Sequence, residues 1–417
     1  MAINIVVAGG NYAGLNAVRH LYSTLIASAK APKVNITLVD RRDGFLHYIG
    51  ITRGITEPHF GQKLWVPYTN VPWLQHPQIT IKQATVQGVH PQHIELASGE
   101  QLRFSHLIVA LGQSRFAPIG ASSPTKHDFE QQLHAAFAQI KQAHRIAVVG
   151  AGAVGIEMAA DIKSDFPDKS VTLVHSRELP LPGPFSDELR HKVVDILQNQ
   201  LQIDLVLGQR VVAQDPPSED MAYSWDKQAT TPPEQVSSMV SAAAAAADNI
   251  SLALSGASGQ HKMQSDCVLR CLGTLNQHHL LHLPDQVVSK AGIRVLDTLQ
   301  IDDPAYSHIY ACGDICARNA VKLAGVAMYD AYVAATNIAR SIMGAPDELM
   351  HSPQFPPKIL LLMGKQHFAM EADRRVWSDD ETRPFVLDDM GLQRCIEALS
   401  LHQEPAAYSP FDPPPAF

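Results

Sequence analysis

A chain of 417 residues is long enough for two or three domains with substantial cores. Its 33 basic and 41 acidic residues leave a net charge of −8 with no basic tail or stripe, which argues against nucleic acid as a partner. Five cysteines are sparse and odd in number, so a disulfide framework is not expected and a reducing, cytoplasmic compartment fits.

The first element is the β-branched run Ile3–Ala8, which feeds directly into a glycine turn and so reads as a buried strand rather than a signal peptide. Ala2 offers no myristoylation glycine, and no apolar run approaches the ~20 residues that span a bilayer. Gly9, Gly10 and Gly14 form the turn, with Asn11 at the middle position of a GxGxxG pattern, and a helix follows to about Ser28. Strand, glycine turn and helix in that order suit a dinucleotide. The backbone can approach the pyrophosphate, and the helix offers unpaired N–H groups and the positive end of its dipole. The next strand, Asn35–Val39, ends in Asp40, placed to accept from ribose hydroxyls.

Residues 79–112 read as a small antiparallel meander, closed by the apolar strand Leu107–Leu111 and Gly112. The order then repeats. Arg145–Val149 leads into Gly150, Gly152 and Gly155, the full spacing, then a helix, the strand Ser170–Val174, and a later apolar strand, Cys267–Leu272, closing on Gly273. Two copies in the same context imply two related nucleotide-binding units. Between them, Asp215–Asp248 carries paired prolines and the run Ala242–Ala247, and reads as an inserted loop without chemistry. The strand Ile309–Ala311 leads to Cys312-Gly313-Asp314 and a long helical pattern, Ala324–Met343. From Gly344 the composition shifts to proline and charge. A last helix, Gly391–His402, places Leu392, Cys395, Ile396 and Leu399 on one stripe, suited to a core or dimer contact or, as the rival, to a membrane surface.

These features resemble the two-dinucleotide-binding-domain flavoproteins. The similarity is greatest to the apoptosis-inducing-factor-homologous branch, which holds the ferroptosis suppressor proteins and their fungal relatives, near the type II NADH dehydrogenases. It is carried by GAVGIEMAADIKSDFPDKSVTLVHSRELPLPG (152–183), VLRCLGTLNQ (268–277), IYACGDICARNAVKLAGVAMYDAYVAATNIARSI (309–342) and DGFLHYIGITRGI (43–55). The implied fold is α/β, with two Rossmann-like domains. FAD would be held by residues 1–115 with 286–345 and NAD(P)H by 116–285, with a capping region at 346–417. The resemblance implies FAD at Gly9, Gly10, Asn11, Tyr12, Ala13, Gly14, Asp40, Arg41, His47, Ala110, Gly112, Gly313 and Asp314. It places NADH or NADPH at Gly150, Gly152, Val154, Gly155, His175, Arg177 and Gly273. Asp314 would accept from ribityl hydroxyls, or cap a helix, or both.

His175 stands where the second unit of a strict NAD enzyme has an acid. It does not repel a 2′-phosphate, and Arg177 is placed to pair with one, so NADPH is expected to be tolerated. Two catalytic roles follow from the resemblance: Glu157 beside the nicotinamide, and Lys322, in VKLAG, near the flavin edge. The expected reaction runs from NAD(P)H through FAD to a quinone-like acceptor. Oxygen, a small redox protein or a specialised metabolite are the alternatives, and a non-enzymatic death-effector role is opposed by the charge. A homodimer and a peripheral contact with a membrane or lipid droplet stay open. The C-x3-C pairs Cys267/Cys271 and Cys312/Cys316 read as buried small residues. His278, His279 and His282 lack an acid at matching spacing, so no metal is expected.

Overall fold

The computed structural model describes residues 3–29, 31–113, 115, 117–120, 123–215, 250–257, 259–272, 281–318, 321–379 and 388–411. Gly273, His278, His279, nearly all of the insert expected at 215–248, and 412–417 lie outside these residues.

In chain order the first unit begins with β1 (Ile3–Ala8), α1 (Tyr12–Leu21) and β2 (Val34–Asp40). There follow β3 (Gly44–Leu46), α2 (Ile51–Thr56), α3 (Pro58–Gly61), β4 (Trp65–Pro67), β5 (Ile79–Gln83), β6 (Val86–Val89), β7 (His93–Leu96), β8 (Gln101–Arg103) and β9 (His106–Val109). The second comprises α4 (Lys126–Gln142), β10 (Arg145–Val149), α5 (Ala153–Asp165), β11 (Ser170–Val174), α6 (Asp187–Asp195) and β12 (Asp204–Val206). It continues through β13 (Gln209–Asp215), β14 (Ile250–Gly256), β15 (Gly259–Ser265) and β16 (Cys267–Arg270). The chain returns through β17 (Val288–Ser289), β18 (Gly292–Ile293), β19 (Ile309–Ala311) and α7 (Ala324–Ile342). It ends with β20 (Ile359–Met363), β21 (His367–Ala372), β22 (Arg375–Ser378) and α8 (Leu392–Ala398).

Two parallel sheets organise the molecule. The first has the order β19-β9-β1-β2-β5 and the second β12-β11-β10-β16. The β-branched runs Ile5–Ala8 and Ile146–Val149 sit at their centres, apolar on both faces because helices cover one face and a small antiparallel sheet, β6–β8 on the first and β13–β15 on the second, covers the other. The expected meander is corrected at its start. Residues 79–83 pair in parallel with β2, Ile36 opposite Ile79, and only β6, β7 and β8 form the antiparallel meander. The alternating ITIKQ pattern fits a half-covered edge strand of either direction, so the sequence alone did not separate the two.

The helix α1 packs on α7, which is buried almost throughout from Val326 to Ala339. The C-terminal stripe also goes inward: Leu392, Leu399 and Leu401 are buried, and Cys395 and Ile396 pack against the core. Among the described residues no helix is long and apolar enough to cross a membrane.

Candidate functional site

The two glycine turns have one geometry. Gly9 and Gly150 adopt φ of +99° and +107°, which side chains rarely take, and a Cβ on either would overlap the carbonyl of Ala110 or Cys271, the residue just past the neighbouring strand. A Cβ on Gly14 or Gly155 would overlap the oxygen of Gly9 or Gly150, so both glycines let the helix close onto its turn. The middle position differs. At Gly152 the space a Cβ would fill is open, a cradle for close approach of a phosphate. In the first turn Asn11 stands there as the N-cap of α1, its Oδ1 buried without a partner. Each helix thus begins with free N–H groups beside an open cradle or an unpaired buried polar atom, which fits a dinucleotide phosphate. Tyr12, Ala13 and Val154 belong to the first turns of these helices, Ala110 borders the first glycine turn, and Gly112 follows two residues on, at φ +65°.

The residue ending the second strand of each unit fixes its turn. Asp40 Oδ2 accepts from Gly10 N at 2.5 Å and Oδ1 from Arg42 N at 2.7 Å. A carboxylate has about four acceptor positions, so capacity remains for ribose hydroxyls. In the second unit His175 Nδ1 accepts from Ala151 N at 3.2 Å. An imidazole accepting at Nδ1 is neutral and carries its proton at Nε2, which is buried and unpaired. Burial, then the charge of Arg177, lowers its pKa. His175 is therefore a loop anchor as well as a neutral replacement for an acid. Arg177, two residues on, is exposed.

Tyr68 escaped the sequence reading. It is 2% exposed, and its hydroxyl donates to Gly10 O at 2.8 Å and fills the place of a Gly10 Cβ. Nothing in WVPYTN marks it, since its partner lies 58 residues away. His47, expected at the cofactor, has both ring nitrogens engaged by protein. Tyr12 Oη donates to Nδ1 at 3.2 Å, and Nε2 donates to Met390 O at 2.9 Å. It joins α1 to the C-terminal segment. Arg41 lies beside Arg42 and Tyr48, and its pKa is lowered by burial and by Arg42.

Gly313 packs against Ala13 and Ala327, which brings Asp314 to the first glycine turn. Asp314 sits in the short turn Gly313–Ile315, and the N-cap of α7 is Leu323, so Asp314 does not cap that helix. Burial raises its pKa, opposed by Arg115 and Lys322. Lys322 Nζ donates to Cys316 O at 2.6 Å and Arg318 O at 2.7 Å, leaving one N–H. Burial lowers its pKa, opposed by Cys316 and Asp314. In the second unit Glu157 Oε1 accepts from Leu362 N of β20 at 3.2 Å. Burial pushes its carboxyl up to about 8, despite that bond and with help from the nearby Asp161. Arg115, unmarked in sequence, acts electrostatically on both Asp314 and Glu157 and so lies between the units.

Residues 3–331 match the model of the pyridine nucleotide-disulphide oxidoreductase family. Oxidoreductase OXR1 of Ajellomyces capsulatus is 26% identical over 437 residues, covering 96% of this chain and 88% of that protein. Ferroptosis suppressor protein 1 of Xenopus tropicalis is 30% identical over 348 residues, 82% of each chain. Among solved structures, NDH2 of Plasmodium falciparum in complex with NADH has the same fold, with a TM-score of 0.64 at 13% identity over 97% of this chain and 99% of that one.

Proposed function

The chain belongs to the pyridine nucleotide-disulphide oxidoreductase family, and we propose that within it this NAD(P)H-dependent flavin oxidoreductase passes electrons to a quinone-like acceptor. Its cofactors are FAD and NAD(P)H. The observation that carries the reading is two equivalent strand–glycine–helix units in a chain whose five cysteines are all free. Burial pushes the thiols of Cys267, Cys271 and Cys395 up to about 12, far from the thiolate that disulfide exchange requires. Two dinucleotide sites without a reactive dithiol favour an acceptor from outside the protein.

In this reading residues 1–115 with 286–345 bind FAD, residues 116–285 bind NAD(P)H, and residues 346–417 cap the flavin and the acceptor site. The turn at Gly9 and the start of α1 take the FAD pyrophosphate, Asp40 the adenosine ribose and Asp314 the ribityl chain. Gly150, Gly152, Gly155 and the start of α5 take the NAD(P)H pyrophosphate, and Arg177 supports a 2′-phosphate. Bound FAD supplies a two-electron carrier between donor and acceptor.

The protein supplies position and protons. Burial favours the protonated form of the Glu157 carboxyl, and with Oε1 accepting from Leu362 N the proton is best carried on Oε2. It is free to donate to the nicotinamide carboxamide and orient it. Lys322 keeps one N–H to stabilise negative charge or to protonate an acceptor oxygen. Ile49, 44% exposed, gives its backbone N–H to Tyr12 Oη and offers apolar surface to a flat ring. The C-terminal segment reaches both residues, through Leu362 N to Glu157 and Met390 O to His47.

The test is anaerobic. NADH or NADPH is added to the purified protein, the flavin band is followed, and a short-chain ubiquinone is then supplied. Bleaching followed by rapid recovery is the expected result. Bleaching without recovery overturns the quinone acceptor, and no flavin band after reconstitution overturns the whole reading.

A further inference from the structure

We propose that His90, Glu95 and His282 form a binding site for one divalent cation of the zinc class. The site lies on the β6–β7 hairpin, apart from the glycine turns.

The hairpin prepares two ligands. His90 N donates to His93 O at 3.0 Å and closes the turn. Val89 and Ile94 are wholly buried, so strand alternation puts His93 and Glu95 together on the opposite face. The His90 ring stacks on His93, centroids 4.5 Å apart and 20° from parallel, which holds His90 over that same face. His90 Nε2 then lies 3.7 Å from Glu95 Oε2.

The third ligand comes from the far side of the sequence. Leu281 and Leu283, 2% and 9% exposed, enter the same apolar cluster as Val89 and Ile94. His282, between these two anchors, adopts φ +55°, in the left-handed region, which histidine enters more readily than most residues with a side chain. Its ring remains exposed and tilts toward His90, with centroids 6.4 Å apart. One ligand atom from each of the three residues falls within 4.8 Å of the others.

The donor set defines the ion. Two imidazole nitrogens and one carboxylate oxygen suit zinc and its borderline neighbours better than calcium or magnesium, which take oxygen. At zinc–nitrogen distances of about 2.0–2.1 Å, tetrahedral ligand atoms stand about 3.3 Å apart. The His90–Glu95 pair is already close to this. The remaining separations need side-chain shifts of about 1 Å, available to the exposed ring of His282. Water completes the shell. Such an ion would tie the chain's return from the second sheet to the first unit's hairpin. The acid and the additional histidine missing around residues 278–282 come from about 190 residues upstream, so ligand spacing in sequence had no means of revealing the site.

The test uses full-length, tag-free protein with its flavin, stripped of metal by chelation. Zinc is titrated against a fluorescent zinc chelator, and cobalt is added separately to read its visible d–d bands. One saturable equivalent is expected. His90→Ala, Glu95→Ala and His282→Ala should each weaken it by more than the roughly 10–100-fold that losing an outer partner costs. The controls His127→Ala and His278→Ala/His279→Ala should bind like the parent. All variants should keep their flavin absorbance, so that lost binding is not lost folding; if His282→Ala does not fold, Glu95→Gln, on the exposed hairpin face, replaces it. No saturable equivalent, or a His282→Ala protein that binds zinc and colours with cobalt as the parent does, overturns the proposal.

Discussion

Ala151 donates its backbone N–H to His175 Nδ1 at 3.2 Å, at the position where Gly10 donates to Asp40 at 2.5 Å in the first unit. An anionic acceptor and a neutral aromatic one thus hold equivalent turns, and the difference changes what the second site tolerates. His175→Ala leaves a buried N–H unpaired, which costs about 1–3 kcal/mol, so the Kd for both nicotinamides should rise about 5- to 150-fold with flavin content unchanged. His175→Asp restores an acceptor and adds a charge, so NADPH should weaken relative to NADH. Fluorescence titration with each nucleotide reads both outcomes; equal affinities for His175→Ala and the parent would remove the anchor. The pH sign is fixed. Burial and Arg177 lower this imidazole's pKa, so the anchor holds above the ordinary histidine range and is lost as pH falls through the lowered value.

Arg177 is exposed beside this anchor, suited to a phosphate and not to the fold. Arg177→Ala should weaken NADPH about tenfold, the scale of one charge-assisted hydrogen bond, and leave NADH nearly unchanged. Parallel titrations of the two nucleotides decide it, and an equal loss for both would discard the 2′-phosphate role.

Glu157 couples stability to pH. Its carboxyl keeps its proton to about 8 in the folded chain, against an ordinary 4.5, so the unfolded chain loses the proton first. Stability from this group is therefore complete below the ordinary value and declines as pH rises toward 8. Asp161, raised to about 6 by burial although Arg53 Nη2 lies 3.4 Å away, adds to the lower part of the same decline. Glu157→Gln should flatten the fall in Tm between pH 5 and 8 by roughly 2–4 °C or more. A scan of Tm against pH on both proteins would show it, and identical slopes would contradict the buried protonated carboxyl.

Lys322 separates binding from turnover. Its ammonium crosses to two backbone carbonyls, so Lys322→Ala should lower Tm modestly while the protein still purifies with flavin. Steady-state kcat should fall at least about tenfold if the remaining N–H serves the reaction, roughly 1.4 kcal/mol in the barrier. Full turnover with a lowered Tm would make it a structural residue.

Legibility in the sequence followed distance along the chain. Gly14 against Gly9 and Gly155 against Gly150 meet their constraints within a few residues, in a strand–turn–helix pattern that is itself local, so both turns, both flanking strands and the α/β class were readable. The direction of β5 was not, because its edge pattern fits a parallel or an antiparallel neighbour. The C-terminal sheet was missed in a stretch dominated by proline and charge. The supports of the site were hidden for a related reason. Tyr68 meets Gly10 across 58 residues and Leu362 meets Glu157 across 205, and neither contact leaves a local pattern. Asp314 follows Gly313 beside Ala13 of α1, and the N-cap of α7 is Leu323, which makes no side-chain cap bond. His47 was found as a functional candidate, but the structure gives its nitrogens to Tyr12 and Met390.

The order of the first sheet has a temporal consequence. The strands β10, β11, β12 and β16 form a continuous stretch of chain, while β19 and α7, which complete the first unit, come only after it. As the polypeptide leaves the ribosome, the N-terminal half has to wait with β9 unpaired on one side and the inner face of α1 bare until residues beyond Ile342 emerge. The later-made half is free to fold first. Premature termination near residue 300 would therefore release a chain with one finished half and one sticky half, a natural client for chaperones or proteases.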